Sequence, residues 1–192
     1  MTGRATRFGT PAHPSIASIR LARSEDAGVV TALCRDTFVE TWVETFAMGY
    51  PPSDLDAHMA ATFDPAGVAV QLSSTQHRWF VAESRDELLG YALSGPCSLP
   101  HRDARAEHGE LKRLYVRRAA QGLGLGRVLL ERSLAWIEAT FEGPVWLGVW
   151  SGNLKAQKLY VHHGFRKAGE YDYRVGATRD REYIYCRERS GR

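Results

Sequence analysis

Along this chain, short bursts of apolar residues are cut apart by glycine and proline, and their period switches between two and about 3.6. Ile19-Arg20-Leu21-Ala22 alternates and predicts a short first strand. Ser24-Glu25-Asp26 offers an N-cap with acids in the first turn, and Val29, Val30, Leu33 and Phe38 then recur at helical spacing. Pro51-Pro52-Ser53 breaks the chain and opens a second helix through Leu55, Met59 and Phe63, which Asp64-Pro65-Ala66-Gly67 ends. Arg78 to Glu83 and Leu88 to Ser94 predict a hairpin around Arg85-Asp86-Glu87, and residues 97–109 read as a polar loop. Leu111 to Val116 predicts a central strand, followed by a glycine-rich turn and a helix carrying Leu130, Leu134, Ile137 and Phe141. Val145 to Trp150 is continuously apolar, as in a strand buried on both faces. Asn153 caps a helix that begins at Leu154 and ends at Gly164. Phe165 to Val175 and Glu182 to Arg187 predict two final strands. Residues 1–17 read as a loose tail, and 18–190 as one domain without repeats or linkers. The order strand, two helices, three strands, helix, strand, helix, two strands gives an α/β (α+β) mixed sheet flanked by helices.

Composition narrows the classes. A chain of 192 residues suits one domain with a substantial core, and a net charge of +3 is too small to argue for nucleic acid or a membrane surface. No stretch approaches the ~20 apolar residues of a membrane span, and the N-terminus lacks the apolar core of a secretory signal. Cys34, Cys97 and Cys186 have no motif spacing and read as free thiols in a reducing cytoplasm. The seven histidines form no metal-binding pattern, so no metal is expected.

The candidate chemistry sits between the central strand and its helix, at Gln121-Gly122-Leu123-Gly124-Leu125-Gly126. The first N–H groups of a helix lack internal partners, the macrodipole adds positive charge there, and glycines clear away the Cβ atoms. Such a turn is an anion cradle suited to a phosphate or pyrophosphate. A P-loop would need Gly-Lys-Ser/Thr, but Gly126 precedes Arg127-Val128. A dinucleotide site would want an acid at the end of the next strand, and Trp150-Ser151-Gly152-Asn153 supplies none. A purely structural turn stays open on these residues alone. Arg102, Arg105, Lys112, Arg113, Arg117, Arg118 and Arg127 crowd the turn, either to meet several phosphates or as a solvated basic face. From Asp36 to His77 there are six acids and no Lys or Arg. That acidic island would attract a cationic amine, or is a solvated face.

The Gln-x-x-Gly-x-Gly run after Leu-Tyr-Val resembles the coenzyme-A-binding motif of the GCN5-related N-acetyltransferases (GNAT). Asn153, Ala156 and Tyr160-x-x-x-Gly164-Phe165 match the family downstream, so the resemblance covers about Glu110 to Phe165. Trp146-Leu-Gly-Val-Trp150 and Thr37-Phe38-Val39-Glu40-Thr41-Trp42 further resemble the PaiA-type spermidine/spermine acetyltransferases. The resemblance implies a mostly antiparallel sheet of about seven strands with about four helices, splayed between strands four and five to admit the pantetheine arm. It implies acetyl-CoA as co-substrate and acetylation of a primary amine, on a small polyamine-like acceptor, by direct attack in a ternary complex. Acetylation of protein N-termini or lysines, or a non-catalytic acyl-CoA-binding regulator, are the alternatives. A small-molecule amine partner, no nucleic acid, no membrane and a cytoplasmic location go with the first reading, and a homodimer stays open.

The residue roles follow from that resemblance. Leu114, Tyr115 and Val116 would contact pantetheine. Gln121, Gly122, Leu123, Gly124, Leu125, Gly126 and Arg127 would cradle the pyrophosphate, and Asn153 and Ala156 would line the arm. Tyr160 would be the general acid, since a phenol of pKa ~10 stays protonated at neutral pH and can protonate a departing thiolate. Glu110, eleven residues before Gln121, would be the base. A salt bridge to Lys112 would work against that role. Phe38, Glu40, Trp42 and Trp150 would face the acceptor.

Overall fold

The computed structural model describes residues 17–85 and 87–189. The tail expected over 1–17 lies outside these apart from Ala17. Seven strands form one sheet in the order β1-β2-β3-β4-β5-β7-β6. They are β1 (Ser18–Leu21), β2 (Arg78–Ser84), β3 (Glu87–Pro96), β4 (Gly109–Val116), β5 (Val145–Trp150), β6 (Arg166–Val175) and β7 (Thr178–Arg187). Every neighbouring pair is antiparallel except β4 and β5, which run parallel. The helices are α1 (Ala27–Phe38), continued by a π-helical stretch Val39–Thr45, then α2 (Pro52–Thr62), α3 (Pro65–Ser73), α4 (Leu125–Thr140) and α5 (Leu154–His162).

Two cores form because strand side chains alternate between faces. On β2 and β3, Trp79, Val81, Tyr91 and Leu93 pack with Val30, Leu33, Phe38, Met59, Phe63 and Val68 of α1 to α3. Ala82 and Ala92 pack on the opposite face with Leu129, Leu130, Leu134 and Ile137 of α4. The central β5 has Val145, Trp146 and Leu147 buried, consistent with its unbroken apolar run.

Three local features depart from the sequence expectations. Asp64-Pro65 ends α2 but also starts α3, because the Asp64 carboxylate accepts from Gly67 N–H at 2.8 Å and proline is tolerated in a first helical turn. Ser24 does not cap α1. Asp26 instead reaches back to the Arg23 N–H at 2.7 Å, and the Arg20 guanidinium beside it holds its carboxyl below the usual range. β7 begins at Thr178, not Glu182, since a tight turn at Gly176-Ala177 lets Val175 pair directly with Thr178. The charged Arg179-Asp180-Arg181 hides that extension from a hydrophobicity reading.

The sheet opens in its middle. β4 and β5 pair only at Gly109–Leu111 against Val145–Leu147, and beyond these three positions they separate. A register shift against β3 at Leu93/Ser94 leaves Lys112 as an extra residue in β4. This bulge turns Arg113 to the face that carries Tyr115, although Leu111 points to the α4 side.

Candidate active site

A cavity of about 790 Å³ passes through the opening between β4 and β5. It is lined on one face by Ala156, Leu159 and Tyr160 of α5 and on the other by Trp42 and Phe46 from the stretch after α1. Leu114, Tyr115 and Val116 border it on β4, and Gly148, Val149 and Trp150 on β5. The free edge of β4 therefore runs along the cavity, with its β3 side already paired.

The glycine turn closes one end. Gly122 has φ +87° and Gly124 φ +80°, the left-handed region that costs an L side chain ~1–2 kcal/mol. Among the described residues, the five N–H groups from Gly122 to Gly126 donate to no other protein group. Space around the turn is clear, since a Cβ at Gly122 or Gly124 would meet nothing within 4 Å. The result is a row of bare amides at the start of α4, which suits an oxyanion. Gln121, Gly122, Gly124, Leu125, Gly126 and Arg127 line the cavity, whereas Leu123 does not and is exposed. The Gln121 side chain donates to the Val116 carbonyl at 3.2 Å and accepts from Lys155 at 3.0 Å, which pins the turn to β4 and α5.

At the start of α5, the Asn153 carboxamide oxygen accepts from Ala156 N–H at 3.0 Å, and both residues face the cavity. One and a half turns on, Tyr160 is buried but lines the cavity, and among the described residues its hydroxyl has no hydrogen-bond partner. Burial first, then the Tyr115 hydroxyl and the Glu182 carboxylate, raise its pKa well above that of a free phenol, so it is protonated at any physiological pH.

The side expected to meet the acceptor has aromatic walls. The π-helical stretch, with Phe46 N–H bonded to Thr41 C=O, turns Trp42 and Phe46 toward Trp150. Ring centroids lie 4.5 Å apart for Phe46–Trp150 and 6.0 Å for Trp42–Trp150. Trp42 Nε1–H donates to the Tyr115 hydroxyl at 2.9 Å, tying this wall to β4.

Not every residue expected at the site is there. Phe38 is buried in the core among Trp42, Tyr50 and Phe63, away from the cavity. Glu40 does not line it either. Its carboxylate accepts from Arg118 N–H at 2.7 Å and lies 3.6 Å from Arg117. Arg117 also pairs with Asp36 at 3.0 Å, and Arg118 pairs with Glu44. So three of the six acids of the island, Asp36, Glu40 and Glu44, pair with two of the basic crowd, Arg117 and Arg118, across the gap to the turn. Arg127 pairs with Glu131 at 2.7 Å, leaving its side chain a helix-surface partner.

Glu110 lies outside the cavity, where β4 and β5 are still joined. Lys112 Nζ sits 3.0 Å from its Oε2, and Ser98 N–H donates to the same oxygen at 2.8 Å. A carboxylate so occupied, 7 % exposed, has little freedom to take a substrate proton.

Two charged residues stand in the cavity in ways the sequence did not show, Arg113, read there only as one of a basic crowd, and Glu182, which was not named. Arg113, turned inward by the bulge, stacks over Phe63 at 5.0 Å and has no ion-pair partner among the described residues. Glu182 on β7 is 8 % exposed and accepts a hydrogen bond from the Tyr171 hydroxyl at 2.5 Å. Its Oε2 would lie 2.8 Å from a Cβ at residue 148, so the glycine there is what lets the carboxylate occupy the opening. The sequence signal was the alternation Asp180, Glu182, Ile184, which places both acids on the inward face marked by isoleucine.

Comparison with known proteins agrees with this geometry. A model of the acetyltransferase (GNAT) family matches residues 36–165. An uncharacterized N-acetyltransferase of Mycobacterium tuberculosis is 29% identical over 157 residues, covering 80% of this chain and 96% of that protein. The crystal structure of PaiA N-acetyltransferase from Thermoplasma acidophilum in complex with coenzyme A superposes with TM-score 0.69, at 16% identity over 91% of this chain and 99% of that one. A GNAT-family acetyltransferase from Streptococcus pneumoniae superposes at TM-score 0.66, 21% identical, covering 90% and 99%. The split sheet, the amide-lined turn and the family match together place the chain in the GNAT family of N-acetyltransferases.

Proposed function

We propose that the chain transfers the acetyl group of acetyl-CoA to the primary amine of a small acceptor, by direct attack in a ternary complex. One observation carries the reading: the amides at the start of α4 and the Tyr160 hydroxyl, without partners among the described residues, open onto the same cavity through the sheet. The amides of Gly122 to Gly126 hold the pyrophosphate, and the free edge of β4 at Leu114 and Val116 holds the pantetheine arm. Asn153 and Ala156 flank the thioester, and Tyr160 protonates the departing thiolate. Holding thioester and amine on opposite sides of one opening supplies the proximity that a bimolecular acyl transfer lacks in water. The coenzyme in the T. acidophilum neighbour supports the choice of ligand. The three free cysteines suit a reducing compartment such as the cytoplasm.

For the acceptor, the walls of Trp42, Phe46 and Trp150 suit an alkylammonium, which is attracted to aromatic faces. That supports a polyamine-like amine. Asp36, Glu40 and Glu44 add little to it, because Arg117 and Arg118 pair with them. Arg113 favours a second reading: an amine that also carries a carboxylate or phosphate, which this guanidinium, unpaired among the described residues, would bind. Release of free thiol from acetyl-CoA over a panel of spermidine, spermine, simple diamines, amino acids and short peptides tests both. Turnover on the di- and polyamines supports the first reading, and turnover confined to amino acids supports the second. Turnover on peptides alone, or none on any amine despite coenzyme binding, rejects a small-amine acetyltransferase.

A further inference from the structure

We infer that Glu182 on β7, not a residue of β4, takes the proton from the acceptor ammonium. The inference rests on the reading of the chain as a small-amine acetyltransferase. Three observations carry it. Glu182 is the only carboxylate, among the described residues, that lines the cavity. It stands at the opening itself, with Oε2 over Gly148 where the two strands have parted. It lies on the acceptor side, paired in register with Trp150, while Tyr160 comes from the helix on the coenzyme side.

The groups around Glu182 fit that task. Tyr171 and Tyr173 face it from β6, Tyr115 and Glu110 from β4, Tyr160 from α5 and Asp180 from its own strand. None of these is a lysine or arginine; Arg113 lines the same cavity but lies over the Phe63 ring. Burial raises the carboxyl's pKa above the usual range, Tyr171 hydrogen-bonding pulls it part of the way back, and Asp180 and Glu110 add to the rise. A carboxylate made more basic in this way accepts a proton from an ammonium more readily than a solvated one. Glu110 lies outside the cavity, with its Oε2 already taken by Lys112 and Ser98.

The step balances. The ammonium gives one proton to Glu182, and the neutral nitrogen forms the C–N bond to the thioester carbonyl. Collapse breaks the C–S bond, and Tyr160 gives its proton to the thiolate. The nitrogen sheds its second proton, which restores Tyr160 through water. Glu182 releases its proton to solvent as the amide leaves, so one proton is freed per turnover.

The test is the pH profile of kcat/KM for the best acceptor amine, with acetyl-CoA affinity measured separately by calorimetry. Glu182→Gln should lower kcat/KM about a hundredfold and remove the ascending acid limb, with coenzyme affinity unchanged. Tyr171→Phe deletes a hydrogen bond that stabilises the carboxylate, so the limb should move to higher pH while the reaction survives. A merely structural Glu182 would not move the limb with Tyr171. The inference is overturned if Glu182→Gln folds and retains the wild-type limb, or if Glu110→Gln removes it instead. Should Glu182→Gln fail to fold, an unmoved limb in Tyr171→Phe also overturns it. If wild-type protein binds acetyl-CoA but acetylates no amine, the functional reading fails first and this inference falls with it. Wild-type turnover with an unaffected Glu182→Gln rejects the inference alone.

Discussion

Tyr160 and Glu182 approach the same opening from opposite faces, and each carries a consequence that a single substitution exposes. Tyr160→Phe removes the only hydroxyl offered to the thiolate from α5. It should cut kcat about a hundredfold and leave acetyl-CoA affinity unaltered, as steady-state kinetics with calorimetry would show. Glu182 has a second signature, in stability. Its folded pKa is raised, so between the ordinary carboxylate value and that raised value the native state binds more protons than the unfolded chain. Its contribution is therefore present below that window and lost as pH climbs through it. Glu182→Gln should melt higher than wild type above the window, with the difference shrinking toward acid pH, as thermal unfolding across pH would record. At this scale the sequence was half legible. Tyr160 and Asn153 sit in a motif with fixed spacing from a helix start, so their positions follow from local structure. Arg113 depends on a bulge, which shifts the face a residue takes and leaves no mark on spacing, whereas Glu182 shares the alternation of Ile184 but stands at the head of the expected strand. Glu110 was drawn to the site by its place at the head of β4, and only three-dimensional packing reveals the Lys112 and Ser98 contacts that occupy it.

Among the elements, the glycine turn separates fold from function most cleanly. Gly126 has ordinary helical backbone, and a Cβ there would sit 3.7 Å from Val116 Cγ2, a normal contact. Gly126→Ala should therefore leave the free protein as stable or slightly more so. If the diphosphate sits on these amides as proposed, the added methyl would crowd its approach, and coenzyme affinity should fall at least tenfold. Gly124→Ala should behave differently, because φ +80° penalises any side chain. It should cost ~1–2 kcal/mol of stability by denaturant unfolding, on top of its effect on binding. The strand–turn–helix order here was readable because hydrophobic period and glycine punctuation agree. The boundary between α2 and α3 was not, since Asp-Pro reads as a stop and only the Asp64 to Gly67 hydrogen bond shows that it is also a start. The hidden first half of β7 has the same origin: alternating charges satisfy a strand's pleat as well as apolar residues do, but carry no hydrophobic signal.

Over the whole molecule, two halves of a sheet meet through three paired positions of β4 and β5. A coenzyme lying in the opening would bridge them. Coenzyme A at a hundred times its dissociation constant should add about 2.7 kcal/mol of stability, a rise in melting temperature of about 5–10 °C for a chain of this size. Amide hydrogen exchange should slow along Arg113 to Val116 and Gly148 to Trp150 when coenzyme is added, and stay unchanged in the β6–β7 hairpin. The overall layering was legible in the order of elements. The depth of the opening was not, because strand separation arises from tertiary packing and the bulge, and β4 reads like any other strand.

The ion pairs from Asp36, Glu40 and Glu44 to Arg117 and Arg118 fasten the stretch bearing Trp42 and Phe46 to the turn that would grip phosphates. If the coenzyme seats on the turn as proposed, these pairs would couple it to the far wall of the acceptor chamber and favour its arrival before the amine. Kinetics should follow a compulsory order in dilute buffer and drift toward random arrival at molar salt, where such surface pairs loosen.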